Sequence, residues 1–419
     1  MTSREAARRL GVKVETLYAY VSRGILTRQV SADGRTSTFD SRAIEALARR
    51  GRPRQSSRST SLSMLIETRL TSLAPSGVRY RGVPAGELAV THRFEDVADF
   101  LWLGALRSTR EPWTAELVRI APGLSLGDSV RVIAATAAAQ LPRAASFAAA
   151  DVATVGRRLV ATITDSLPVA GDGRAPRLVL PADDRASTPI RSTIAGRLWT
   201  RLSARRPSPG MLAVVNAAMV LLADHDLAAS TFGVRVAAST RADPGAVVTA
   251  GLGVLSGPLH GSASRLTREM FDRAAEVGAA RAVGDLLAAG KRIPGFGHSV
   301  YVDVDPRTTV LLDLLRGAAG RTRAMDIVDD VLSAVNARID QLANVDFALG
   351  ALTMITDMPA DGGEVIMSIA RIAGWLAHAI EEYGEAPLRF RPRASYIGTM
   401  PTATRGRSTD DTGRDGSSG

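Results

Sequence analysis

Of the five histidines in this 419-residue chain, three fall in breaks rich in glycine, serine or proline. His225 stands between Asp224 and Asp226 in "ADHDLAAS", His260 in "GPLHG", and His298 in "PGFGHSVYVDVDPR", a stretch that closes on Arg307. Asp346 follows in "NVDFALGAL" beside an expected helix cap, then Arg371 in "ARIAGW" and Arg391 with Arg393 in "LRFRPRASYIG". Each has an ordinary structural explanation when taken alone. An isolated His is more often a hydrogen-bonded core residue, a lone Asp near a helix start is a cap, and Arg371 could tie its helix to a carboxylate. His92 and His378 are given that explanation outright, because "THRFED" and "LAHAIEE" read as amphipathic helix.

Together the set suits carbon chemistry on an anionic oxo acid, one among several chemistries that composition leaves open. A carboxylate can remove a weakly acidic proton beside a carbonyl, imidazoles can polarise a ketone or hydrogen-bond an enolate, and guanidinium forks hold carboxylates. The sequence has no G-x-G-x-x-G after a strand, no phosphate loop and no H-E-x-x-H. It has no cysteine, which removes disulfides, thiolate ligands and thiol nucleophiles.

These residues must be held by helices. From 62 to 398, segments such as "RFEDVADFLWLGAL", "LTREMFDRAAEVGAARAVGDLLAAG" and "AMDIVDDVLSAVNARIDQL" repeat apolar residues three and four apart. The expected fold class is mainly all-α. At 45% hydrophobic and 22% charged residues the chain reads as globular. Its longest apolar run, "MLAVVNAAMVLLA", falls short of the roughly 20 residues a membrane span needs. Residues 1–10 carry charge without an apolar core, so neither a secretory signal nor a membrane partner is expected, and the expected location is cytoplasmic. The region 142–207, rich in Arg, Ala and Pro, yields no assignment.

The first sixty residues differ from the rest. They carry thirteen Lys or Arg against five Asp or Glu, +8 of the chain's formal +10, so any attraction to a polyanion belongs here. Thr2 and Glu5 form a capping pair ahead of a helix, a second helix ends near Gly24, alternating residues flank Asp33-Gly34 as in a hairpin, and Asp40 caps a third helix. This order resembles the winged helix-turn-helix of MerR-like regulators, which makes DNA a possible partner of residues 1–50. Residues 51–61 read as a linker and 401–419 as a disordered tail.

In sequence order, "GPLHG", "PGFGHSVYVDVDPR", "NVDFALGAL" and "GWLAHAIEEY…RPRASYIG" closely resemble the citrate synthase family, whose members make citrate or 2-methylcitrate. The resemblance implies a homodimer of helical subunits, with a large domain at 62–261 and 360–400 and a smaller mobile domain at 262–359. It implies oxaloacetate and acetyl-CoA or propionyl-CoA as substrates, with no cofactor beyond the acyl-CoA. By the same resemblance His298 polarises the oxaloacetate ketone, His260 stabilises the enolate of the thioester, and Asp346 is the base. His225, Arg307 and Arg371 grip the oxo acid, and Arg391 reaches the partner subunit's site. Where relatives often carry a basic residue after the equivalent of His298, this chain runs Ser299, Val300, Tyr301, Val302, Asp303, with Lys291 and Arg292 close by.

Overall fold

The computed structural model describes residues 1–10, 12, 14–22, 26–30, 37–41, 43–44, 65–74, 77–107, 111–170, 178, 192–257, 261, 263–298, 301 and 305–398. Two units separate along the chain, Met1–Glu67 and Thr68–Gly419.

The first unit is small and has its own core. Helices α1 (Ser3–Leu10) and α2 (Val14–Ser22) are followed by an antiparallel pair, β1 (Arg28–Val30) and β2 (Ser37–Phe39), with Arg28 opposite Phe39. The capping pair forms in both directions: Thr2 N–H donates to Glu5 Oε2 at 2.9 Å and Glu5 N–H to Thr2 Oγ1 at 3.4 Å. Ala6, Ala7, Leu17, Tyr20, Leu26, Phe39 and Ile44 are buried together. Gly24, the expected turn at Asp33-Gly34, residues 45–50 of the expected third helix and the linker lie outside the described residues, as does the tail.

The second unit is mostly helical, with one departure from the all-α expectation. Strands β3 (Thr71–Ala74), β4 (Gly77–Tyr80) and β5 (Val83–Pro84) form an antiparallel sheet, with Thr71 opposite Tyr80. Alternation of buried Val78 and Tyr80 around exposed Arg79 is the period-2 signal that marks it.

The helices follow in order: α3 (Ala85–Thr91), α4 (Phe94–Leu103), α5 (Leu126–Gln140), α6 (Ala149–Ser166), α7 (Ile194–Leu202), α8 (Pro209–Leu222), α9 (Ala229–Ser239), α10 (Pro244–Leu255), α11 (Ala263–Val277), α12 (Ala279–Ala288), α13 (Pro306–Ala319), α14 (Arg323–Asn336), α15 (Val345–Ile355) and α16 (Gly362–Tyr383). The long periodic stretch after Ala263 is two helices, because Gly278 takes φ +87 and turns the chain between α11 and α12.

Helix α16 is the axis of the unit. Nearly every residue from Gly362 to Ala379 is buried, and α4, α6, α8, α9 and α10 pack around it. Trp102 of α4 is buried against it and donates its indole N–H to the Ala373 carbonyl at 2.8 Å. Left unpaired, that buried donor would cost about 1–3 kcal/mol. Gly374 lets α16 close on the end of α8: its N–H donates to Ala223 O at 2.8 Å, and a Cβ there would collide with Ala223 O and the Asp224 carboxylate. Among the described residues no helix is long and apolar enough to cross a membrane.

Candidate active site

A cavity of about 880 Å³ in the second unit gathers His225, His298, Arg307, Asp346 and Arg371. Its lining comes from four stretches of chain: Leu73 of β3, around 225–257, around 263–346, and α16.

His225 follows α8, whose start is set by Ser208 capping Met211 N–H and by Pro209 in the first turn. Beyond the helix end the chain is clamped. Tyr80, fully buried, sets its hydroxyl among the carbonyls of Val220, Leu221 and Asp224 at 3.0–3.2 Å. Arg371 donates from Nε to Leu222 O at 2.7 Å. The remaining Arg371 nitrogens have no hydrogen bond among the described residues, and the side chain lines the cavity with its donors to spare.

Arg307 stands in the first turn of α13 and is held by Asp305, the cap of that helix. Asp305 accepts from Arg307 Nε at 3.0 Å and Nη2 at 2.8 Å, from Arg307 N–H at 3.1 Å, and from Val345 N–H of α15 at 3.1 Å. One carboxylate therefore joins the first turns of two helices and aims a guanidinium, leaving its Nη1 unpaired among the described residues. Burial opposes the Arg307 charge, and Asp305 more than restores it, raising the group above its ordinary value.

His298 and Asp346 stand on two segments zipped together. Gly297 N–H donates to Leu342 O at 2.8 Å, Asn344 N–H to Gly295 O at 2.9 Å, and Asn344 Nδ2 to Gly297 O at 2.8 Å. Gly295 has φ +78, and a Cβ on it would press on the Phe347 backbone and Thr267. Only glycine meets both demands.

Tyr301 N–H donates to Nδ1 of His298 at 3.2 Å, and Arg307 Nη2 lies 3.4 Å from its Nε2. Burial, then the Arg307 charge, lower the pKa of His298. Burial, followed by Arg307, Arg371 and His298, lowers that of His225 further. The two imidazoles meet edge to face at 5.4 Å between centroids, and Tyr301 Oη lies 3.0 Å from His225 Nε2. Two neutral imidazoles between two guanidinium groups avoid stacking four like charges in one cavity.

Asp346 is the second residue of α15, behind the cap in which Asn344 Oδ1 accepts its N–H at 3.0 Å. Its Oδ1 is shielded from solvent and has no hydrogen bond among the described residues. Burial, offset in part by Arg307, pushes the carboxyl up to about 6. A carboxylate so placed is a stronger base than an exposed one and is ionised at neutral pH.

The structure thus brings together five of the seven expected residues. His260 lies outside the described residues, although Gly257 and Ala263 on either side of it line the cavity. Arg391 is exposed and absent from the lining, as is Arg393. Arg292, noted only for its charge, does line it.

The two histidines set aside from the sequence are hydrogen-bonded as expected, but their placement on amphipathic helices needs correction. His92 is not within a helix but ends α3, contacting Thr91 Oγ1 through Nδ1 at 2.7 Å, while its carbonyl accepts from Asn216. His378 lies on a helix with no solvent face at that position and is fully buried. Asp305 and Asn344 were missed, although an Asp before Pro-Arg and an Asn two residues before Asp346 are both cap signals.

The family model described as citrate synthase, C-terminal domain, matches residues 62–393. The citrate synthase of Synechocystis sp. is 38% identical over 204 residues, 47% of this chain and 51% of that protein. The 2-methylcitrate synthase 1 of Corynebacterium glutamicum is 34% identical over 184 residues, 43% of this chain and 48% of that one. The chain spans about half the length of these curated relatives. A crystal structure of citrate synthase from Thermotoga maritima MSB8 shares the fold, with a TM-score of 0.64 at 22% identity over 82% of this chain and 96% of that one. A family match that runs through every wall of the cavity establishes that this chain belongs to the citrate synthase family.

Proposed function

We propose that the chain condenses oxaloacetate with acetyl-CoA to give citrate and CoA. The observation that carries this is the unpaired, shielded carboxylate oxygen of Asp346 in one cavity with the free donors of Arg307 and Arg371. Arg307, Arg371 and His225 hold the oxo acid by its carboxylates, and His298 donates a hydrogen bond to the ketone oxygen, leaving the carbon electrophilic. Asp346 takes a proton from the carbon beside the thioester, and His260 stabilises the enol or enolate. That carbon attacks the ketone to give citryl-CoA, and water then releases CoA. Arg292 in the lining supplies positive charge toward the CoA phosphates.

In this reading two copies assemble, each sending Arg391 to the other's cavity. Residues 262–359 close as a small domain over the large one at 62–261 and 360–400, excluding water. The test is CoA release from acetyl-CoA and from propionyl-CoA, with and without oxaloacetate, followed with a thiol reagent that the cysteine-free chain does not consume. Release without oxaloacetate dependence, or none with either thioester, overturns the proposal.

The relative named 2-methylcitrate synthase favours propionyl-CoA as a second reading. The substrates differ by one methylene, worth about 1–3 kcal/mol in a pocket, so the ratio of specificity constants decides. The +8 balance of the first sixty residues supports DNA contact by residues 1–50, alongside catalysis or as a metabolite-sensing regulator in its place. A salt-sensitive gel shift that disappears on deleting residues 1–55 is the expected result; a shift that survives the deletion removes this partner from the N-terminal unit.

A further inference from the structure

Behind the cavity runs a buried chain of polar groups that the reaction scheme leaves unused. Asp224 and His378 are both fully buried. Asp224 Oδ2 accepts from Thr71 Oγ1 at 2.5 Å and lies 3.3 Å from His378 Nε2. His378 Nδ1 accepts from Arg235 Nε at 3.1 Å. With Nδ1 so occupied, the neutral ring carries its proton on Nε2 and donates it to Asp224. Arg235, also buried, pairs with Glu381 and with Glu382 at 3.0 Å. Glu381 in turn accepts from Thr68 Oγ1 at 2.9 Å and Arg69 N–H at 2.8 Å, and Glu382 takes both donors of Arg389.

This chain ends on the oxo-acid side of the cavity. Asp224 immediately precedes His225, and its charge acts on Arg371. Its Oδ1 has neither solvent nor a hydrogen bond. Burial would raise the Asp224 carboxyl, but His378, Arg371 and Thr71 outweigh it and hold the group below its ordinary range. A buried carboxylate kept ionised is costly for packing alone, and an apolar residue would fill the space more cheaply. Arg371 and Arg307 gain from it: two buried guanidinium groups facing one cavity repel each other, and Asp224 is an anion behind the first of them.

We propose that Asp224 and His378 are positioning residues of the oxo-acid cradle, His378 clamping Asp224 so that it presents His225 and balances the charge of Arg371 toward the cavity. The proposal rests on the reading of the cavity as an oxo-acid site.

The test uses the full chain with His378→Phe, His378→Gln and Asp224→Asn, reading oxaloacetate affinity by calorimetry and KM for each substrate by CoA release. His378→Phe and Asp224→Asn should weaken oxaloacetate about 10- to 100-fold, the effect of losing a charge-assisted hydrogen bond. The KM for acetyl-CoA should stay within about 3-fold, since none of these contacts faces it. Glutamine can accept from Arg235 with one end of its amide and donate to Asp224 with the other, so His378→Gln should recover most of the affinity. Circular dichroism establishes folding first; if the Phe variant does not fold, Asp224→Asn and His378→Gln carry the decision. Equal losses for both substrates, or unchanged oxaloacetate affinity in folded Asp224→Asn, overturn the proposal. Wild-type protein that binds no oxaloacetate overturns the functional reading beneath it as well.

Discussion

His225 and Arg371 are held from behind by buried helices, whereas His298 and Asp346, the latter in the first turn of α15, follow two segments zipped by three hydrogen bonds around Gly295 and Gly297. The first pair is set by packing: Arg371 is 3% exposed on a helix with almost no solvent face. The second pair is set by backbone geometry, with a glycine at φ +78 against Phe347 and a helix cap at Asn344. The difference matches what each side must do. In the proposed reaction a grip on the carboxylates of the oxo acid needs fixed donors, while the base Asp346 and the ketone-polarising His298 sit where two segments meet.

The largest effect that breaks this comparison should come from Asp346, the base of the proposed reaction. Asp346→Asn should lower kcat by about 1,000-fold or more, within the reach of a lost general base, while calorimetry finds oxaloacetate affinity little changed. On the packed side the pattern should reverse. Arg371→Leu should raise the KM for oxaloacetate by about 10- to 100-fold, with a smaller change in kcat. If both variants fail in the same parameter, the two walls do not divide the work.

Gly295→Ala tests the zipped side without touching a polar group. Strain at positive φ and contact with Phe347 should cost about 1–3 kcal/mol in urea unfolding, with kcat falling more than oxaloacetate affinity. The smallest effect sharpens the comparison through pH. The Asp346 carboxyl is raised to about 6 in the folded chain, against about 4 for an ordinary aspartate. An acid raised on folding destabilises the fold once pH passes its unfolded value, and does so fully above its folded one. Asp346→Asn should therefore raise the Tm at pH 8, and the gain should vanish below about pH 4. In the wild type, kcat/KM should rise with pH through an acid limb near 6.

The cavity residues were legible because they fall in punctuated stretches: His298 between glycines and Asp-Pro-Arg, Asp346 two places after a capping Asn, Arg371 on a long periodic helix. What sequence could not give was depth. His378 has the spacing of any amphipathic residue, and only the closure of α4, α8, α9 and α10 around α16 buries it. The small sheet at 71–84 was hidden by its short strands, and α6 and α7 by a stretch whose arginines blurred the apolar period. In that stretch Arg157 and Arg197 turn out to be paired with Asp99 and Asp165 rather than left on a solvent face.

The bond of Glu381 to Thr68 and Arg69 fixes how closely the protein can be trimmed. A chain shortened to start at Thr68 loses the basic unit and can keep both donors to that glutamate. Starting two residues later strips them and leaves Glu381 paired with Arg235. The shorter cut should therefore reach the cavity through the buried polar chain behind it, and anyone comparing the protein with and without its N-terminal unit must choose the boundary to the residue.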